Sequence, residues 1–248
     1  MSFEKSSNLE LSTKFMLVLA GGFGTRLKTI LPNEPKALAP INNEPFLRIQ
    51  IQNWKRQGLT SFVFLLHHQA DRIVSFLNKE RTALLKDCKV RWLVESSPMG
   101  TGGAIAFAVK ELNLSGDFLV TNADTWIGNG ITEFSEINSS AIAVVKINDA
   151  SRFGSIKLDI QCNITAFNEK CSNSLGGFIS AGLYQLNSEL FKSWNGLPFS
   201  LEKNLFQALV TRRMLKAVKL NTDFIDIGVP EDYYRFCRWH LAGDKDFI

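Results

Sequence analysis

Two kinds of apolar pattern alternate through the first half of the chain. Residues 15–20 (FMLVLA) form a short, wholly apolar run that ends in Gly21-Gly22. Such a run predicts a strand buried on both faces, and the glycine pair predicts the turn that ends it. Residues 45–57 instead place Phe46, Leu47, Ile51 and Trp54 on one helical face, with Pro45 suited to the first turn and Gly58 to the stop. The alternation continues as strand 62–66, helix 70–77, strand 90–94, helix 104–112 and strand 118–121. It predicts a parallel sheet with helices on both faces.

From about residue 140 the pattern changes. Residues 141–147, 154–158, 163–167 and 178–186 are closely spaced strand candidates with few helices between them. They predict a mixed sheet packed beside the first. Ser200 is placed to cap a helix with Leu205, Phe206 and Leu209 on one face. Pro230 starts a last helix that turns Tyr233, Phe236 and Cys237 inward. Residues 1–13 are polar, Ser-rich and aperiodic, and read as a frayed extension. Residues 14–248 contain no repeat and no linker, so they read as one α/β domain with two lobes, about 14–140 and about 141–248.

Composition narrows the function classes. The 248 residues are 45% hydrophobic and 21% charged, ordinary for a globular chain with a large core. No apolar run approaches the roughly 18 residues of a membrane span, and the N-terminus lacks the apolar segment of a signal peptide. Cys88, Cys162, Cys171 and Cys237 are dispersed and form no CxxC pair, so they read as reduced thiols of a cytoplasmic protein. The net charge of +4 suits an anionic small substrate, while the absence of a basic run or basic-aromatic stripe argues against nucleic acid. His67, His68 and His240 form no HxxxH pair and no Ser-His-Asp order. A homodimer is compatible with this composition.

The candidate chemistry begins at LAGGFGTRLKTILPNEPK, which follows the first strand. Glycine amides in a tight turn can form a concave anion site, and Arg26 and Lys36 supply the positive charge that a polyphosphate needs. A dinucleotide fingerprint fails at Leu27, where its third glycine belongs, and a Walker loop is absent. Taken alone, the glycine pair would be a structural turn. Asp124 follows an apolar run, where an open α/β sheet binds ligands. Asp226 precedes the helix at Pro230. Each alone would be a turn or cap residue, but brought together the two could hold Mg²⁺, which takes one or two carboxylates and fills its other positions with phosphate oxygens and water.

The string GGFGTRL followed by PK closely resembles the signature of sugar-1-phosphate nucleotidyltransferases. The resemblance implies a Rossmann-like three-layer α/β/α fold with a mixed, mostly parallel sheet and a smaller sugar-binding lobe. It assigns nucleotide binding to Leu19, Ala20, Gly21, Gly22, Gly24 and Thr25, the triphosphate to Arg26 and the reacting α-phosphate to Lys36. Asp124 and Asp226 match the family's metal pair, although Ala123 stands where the family usually has glycine. ESSPMGTGGAI resembles the base-and-ribose loop, giving roles to Glu95, Gly100 and Thr101. ITAFNEK resembles the sugar-phosphate motif, with Glu169 on sugar hydroxyls and Lys170 on the phosphate. RFGSI and GGFISAGLY resemble two further sugar segments, through Gly154 and through Ser180, which replaces the usual asparagine.

Glu95 bears on the base. A carboxylate only accepts hydrogen bonds, and guanine offers two adjacent donors where uracil and thymine offer one between two acceptors. GTP is therefore the expected triphosphate. SLEKNLFQAL and FIDIGVPEDYYRF are closest to the bacterial branch that makes GDP-D-glycero-α-D-manno-heptose, which implies heptose 1-phosphate as acceptor and a place in surface polysaccharide synthesis. The alternatives are a uridylyl-, thymidylyl- or cytidylyltransferase acting on another sugar phosphate, or a nucleotide-sugar-binding regulator without turnover.

Overall fold

The computed structural model describes residues 15–150, 152–168 and 175–243. Its hub is β1 (Met16–Leu19), whose side chains alternate between two apolar cores: Met16 and Val18 enter one, Leu17 the other. That is why the run is apolar at every position. After the glycine loop, a small hairpin of β2 (Pro40–Ile41) and β3 (Glu44–Pro45) leads into α1 (Phe46–Arg56), with Pro45 capping the helix from just outside it. Then come β4 (Ser61–Leu66), α2 (Ala70–Glu80), β5 (Lys89–Val94), α3 (Gly100–Glu111) and β6 (Asp117–Asn122). Strands β5, β4, β1 and β6 lie side by side, all parallel.

The second half contains β7 (Thr125–Ile127), α4 (Ile131–Ser135), β8 (Ala141–Asp149), β9 (Ile156–Leu158), β10 (Ile164–Phe167) and β11 (Leu175–Asn187). A wide π-helical turn, Leu201–Phe206, continues into α5 (Gln207–Thr211), followed by β12 (Lys216–Lys219), β13 (Phe224–Asp226) and α6 (Pro230–Leu241). Strands β8 to β12 do not form a separate sheet packed beside the first, as the pattern suggests; they extend the same sheet to nine strands, while β7 and β13 pair apart from it as a two-stranded ribbon. The reason is the 13-residue β11, which pairs antiparallel with β6 through Leu183–Asn187 and with β8 along its other edge. Strand β8 takes β12 as a parallel neighbour, and the β9–β10 hairpin continues the sheet beyond β11.

Helices cover both faces. Leu47, Ile51 and Trp54 of α1 and Ile73 and Leu77 of α2 fill one core with Phe62, Phe64 and Leu66 of β4. Ala104, Ile105 and Ala108 of α3, with Leu201, Phe206 and Leu209, fill the other against Val63, Leu65, Phe118 and Val120. The cap at Ser200 holds as expected, accepting from the Lys203 amide. Leu205 is only partly buried, because the wide turn rotates it away from the face shared by Phe206 and Leu209. No described helix is long and apolar enough to cross a membrane.

A third core holds α6 in place. Phe236, fully buried, meets Phe46, Trp126 and Trp239 at ring-centroid distances of 5.1, 5.5 and 5.3 Å. It clamps α6 onto the antiparallel ribbon of β7 and β13; Asp226 ends β13 and Asp124 immediately precedes β7. Phe236→Ala removes that ring and leaves a cavity, so it is expected to cost about 3–5 kcal/mol. Urea unfolding should show a lower midpoint at an unchanged slope.

Candidate active site

Backbone pairing brings the two aspartates together. In the β7–β13 ribbon Asp226 pairs with Thr125, and the Ile227 amide donates to the Asp124 carbonyl at 3.0 Å. Residues from the middle and the end of the chain are thus fixed side by side. Lys36 arrives from a third direction. Pro35 is extended and Lys36 opens a short 3₁₀ turn, Lys36–Leu38, anchored by the buried Ala37 and Ala39. Its ammonium donates to Asp124 Oδ2 at 2.6 Å and to Asp226 Oδ1 at 3.1 Å.

Burial alone would push the Lys36 ammonium pKa down. The two carboxylates outweigh that, and it lies above the usual lysine range. Each carboxylate is held from behind as well. Thr125 Oγ1 donates to Asp124 Oδ1 at 3.1 Å, and the Gly228 amide donates to Asp226 Oδ1 at 2.7 Å. A Cβ at Gly228 would lie 2.7 Å from both Asp226 Oδ1 and Lys36 Nζ, so a side chain there would push these two charged groups out of their present positions. Two carboxylates against one ammonium leave a net negative charge, a setting that suits a divalent cation. Two carboxylates could hold such a cation if phosphate and water oxygens fill its other positions, as they do for Mg²⁺.

Three adjoining clefts meet at this cluster. The first, about 190 Å³, is lined by Ala20, Gly22, Gly24, Thr25, Arg26 and Lys36, with Asp124 on its far wall. Gly24 has φ +59°, and a Cβ there would press on Lys36 Cβ at 3.3 Å. Thr25 and Arg26 are exposed on the rim.

The second cleft, about 350 Å³, is lined by Leu19, Gly21, Phe23, Glu95, Gly100 and Thr101 among others, and shares Asp124 with the first. Glu95 is buried. Its Oε2 accepts the Met99 amide at 2.9 Å, and its carbonyl pairs with His67 Nδ1 at 3.0 Å. Burial pushes the Glu95 carboxyl up, and the Met99 amide and His67 pull it only part of the way back. Gly100 has φ +70°, and a Cβ there would sit 2.6 Å from the Phe199 carbonyl.

The third cleft, about 370 Å³, is lined by Arg26, Arg152, Ser180, Tyr184, Glu202 and Asp226 among others. Gly154 is not part of its wall; the neighbouring Phe153 is. Glu169 and Lys170 lie outside the described residues. Several lining groups had not been singled out from the sequence. Phe23 and His67 needed the fold, because their rings meet edge to face with centroids 5.7 Å apart. Asn122 ends β6 and borders both the second and third clefts. Arg152 stands directly before the quoted Phe153-Gly154 and ion-pairs with Asp232 on α6.

Comparison with known proteins accords with this geometry. The chain is 33% identical over 223 residues to a D-glycero-alpha-D-manno-heptose 1-phosphate guanylyltransferase of Campylobacter jejuni, a match covering 89% of this chain and 97% of that one. It is 32% identical to mannose-1-phosphate guanylyltransferase 1 of Arabidopsis thaliana, spanning 91% of this chain and 64% of the longer relative. Among solved structures, HddC from Yersinia pseudotuberculosis complexed with GMP-PN superposes with a TM-score of 0.80 at 31% identity, covering 92% of this chain and 100% of that one. The nucleotidyl transferase family matches residues 15–240, and the chain belongs to it.

Proposed function

We propose that this enzyme transfers GMP from GTP to a sugar 1-phosphate of the manno-heptose type, giving a GDP-sugar and pyrophosphate for surface polysaccharide synthesis. The observation that carries the reading is the meeting of Lys36, Asp124 and Asp226 where the three clefts join. The first cleft then holds the triphosphate, the second the guanosine and the third the sugar phosphate.

In this reaction an oxygen of the sugar phosphate attacks the α-phosphorus. A new P–O bond forms as the bond to the pyrophosphate oxygen breaks. The nucleophile is already an anion, so no general base is needed, and the obstacles are charge repulsion and alignment. Arg26, on the rim of both the first and third clefts, neutralises phosphate charge between donor and acceptor. Lys36 shifts from the carboxylates to the α-phosphate oxygens and stabilises the charge that builds there. Asp124 and Asp226 would hold Mg²⁺, which supplies Lewis-acid and templating chemistry when bound. Lys170, assigned by resemblance, would hold the attacking phosphate, and Glu169 and the backbone at Gly154 would attend the sugar.

Two features favour GTP: the buried Glu95 acceptor in the second cleft, and the guanylyltransferase activities named for the relatives. The heptose acceptor rests on the name of the Campylobacter relative. A GTP and heptose 1-phosphate assay with pyrophosphate readout tests both. Efficient use of UTP with another sugar phosphate would shift the assignment to a different nucleotide. Guanine-nucleotide binding without product from any sugar phosphate would indicate a regulator.

Lys36→Ala is expected to lower turnover by about 10²–10³, measured as pyrophosphate release; retention of a third of the wild-type rate would remove its assigned role. Asp226→Ala should abolish Mg²⁺-dependent activity while leaving the circular dichroism spectrum unchanged. Chelation of the wild type should abolish activity until Mg²⁺ is restored.

Glu95 predicts a pH dependence. The carboxylate is the form that accepts from guanine, and its pKa in the free protein is raised by burial. Nucleotide affinity should therefore fall as pH drops through that pKa, at a pH above the usual glutamate value of about 4.3. Glu95→Gln should remove this component and weaken the preference for GTP over UTP by up to roughly a hundredfold. Fluorescent-nucleotide titrations of both proteins, at several pH values, check it.

A further inference from the structure

The third cleft contains an acidic side chain to which neither the sequence pattern nor the proposed mechanism gives a part. Glu202 sits in the first turn of the wide helix Leu201–Phe206. Its support is rigid. Leu201 and Phe206 are buried on either side of it, and the Leu201 amide donates to Thr101 Oγ1 at 2.9 Å. The carboxylate itself is held by two hydroxyls: Thr101 Oγ1 donates to Glu202 Oε2 at 2.9 Å, and Ser200 Oγ donates to the same oxygen at 2.7 Å.

An ionised carboxylate offers about four acceptor positions, and these two donors occupy two. The charge layout of the cleft gives the rest a use. Arg26 and Arg152 are its cationic wall, matched to a phosphate. Its two carboxylates are Asp226, already turned to Lys36 and the Gly228 amide, and Glu202. A sugar presents hydroxyl donors, and a fixed carboxylate is a strong acceptor for them. Beside it, Tyr184 is buried, and burial together with the Glu202 charge raises its pKa, keeping the phenol protonated as a donor.

We propose that Glu202 accepts a hydrogen bond from a hydroxyl of the sugar 1-phosphate and is a specificity-determining residue of the third cleft. This rests on the reading of that cleft as the sugar site. The hydroxyl that holds Glu202 belongs to Thr101, which lines the second cleft. The same segment is stitched to the loop there: the Gly102 and Gly103 amides donate to the Phe199 carbonyl at 3.0 and 3.2 Å, and the Phe199 amide donates to Met99 at 3.0 Å. The carboxylate that reads the sugar is therefore also bonded to the loop that borders the nucleotide.

The experiment measures kcat/KM with GTP for the parent sugar 1-phosphate, mannose or manno-heptose, whichever the wild type uses faster, and for its monodeoxy derivatives. It compares the wild type with Glu202→Ala, Glu202→Gln and Thr101→Val. In the wild type, one deoxy sugar should lose about ten- to a hundredfold against the parent. Glu202→Ala should lose a similar factor on the parent, mainly through KM for the sugar phosphate, and treat parent and that deoxy sugar alike. GTP affinity by fluorescent titration should stay within about twofold, and Glu202→Gln should fall between wild type and alanine variant. Thr101→Val removes the latch donor and the acceptor of the Leu201 amide and alters the second cleft, so it should slow both sugars alike and keep the discrimination between them. If Glu202→Ala does not fold, the Glu202→Gln and Thr101→Val pair decides. Unchanged discrimination in the Glu202 variants, or loss of discrimination in Thr101→Val, would reduce Glu202 to a latch and overturn the proposal. A wild type that uses no sugar 1-phosphate at all would instead overturn the assignment of the cleft, and this proposal with it.

Discussion

One ammonium shared by two carboxylates holds the centre of this molecule together. Lys36, Asp124 and Asp226 come from the glycine-loop side, the end of β6 and the end of β13, and each would be poorly placed without the other two. Lys36 is mostly buried, with 13% of its side chain exposed, and an unpaired ammonium at that depth would be costly. The pairing removes that cost and sets a constraint on everything around it. The ribbon must bring Asp226 beside Thr125, α6 must press the ribbon inward through Phe236, and glycine at 228 leaves the space that the ion pair occupies. Much of the third core serves this placement.

The same cluster explains why the long β11 matters. A sheet ending at β6 would leave the carboxyl ends of its strands facing open solvent. By pairing with β6 through its second half and carrying β8 and β9 along the rest, β11 raises a wall beyond that edge. Gly182, at φ +71°, lies so close to β6 that a Cβ would sit 2.7 Å from the Asn122 amide nitrogen. The pairing with β8 shifts register between Ser180 and Tyr184, and those residues face the third cleft. The irregularity in the strand and the cleft are one feature.

The legibility of these parts in the sequence follows their physical origin. Strands β1, β4 and β6 and helices α1 to α3 were readable because their apolar patterns reflect burial on two faces or one. The β7–β13 ribbon was not readable as a pair: three-residue strands carry no usable period, and their partnership depends on α6. The single nine-stranded sheet was misread as two because spacing reveals strands but not which edges meet. In the site, the glycine loop, Lys36, the aspartates and Glu95 stood out as residue types set in short motifs. Gly228 was in plain view, yet its part in the site arises only from the approach of Lys36 Nζ and Asp226. Glu202 was hidden by its own neighbourhood, since SLEK after a proline and a phenylalanine reads as an ordinary helix start.

Charge is distributed along the clefts in a way that bears on order and selectivity. Carboxylates stand at both ends, Glu95 in the second cleft and Glu202 in the third, while Arg26, Lys36 and Arg152 lie between or beside them, around the Asp124 and Asp226 pair at the centre. Cations in the middle attract phosphate groups of any nucleotide or sugar phosphate and so discriminate weakly. Acceptors at the ends disfavour a partner that cannot donate, because a carboxylate covered by such a ligand and facing another acceptor is left unpaired. Selectivity in such an arrangement belongs to the two ends and reactivity to the centre. The bond between Glu202 and Thr101 ties one end to the loop that shapes the other. A change in sugar preference within this scaffold is then expected to be felt first in the segment joining Phe199 to Glu202, not in the phosphate-facing residues.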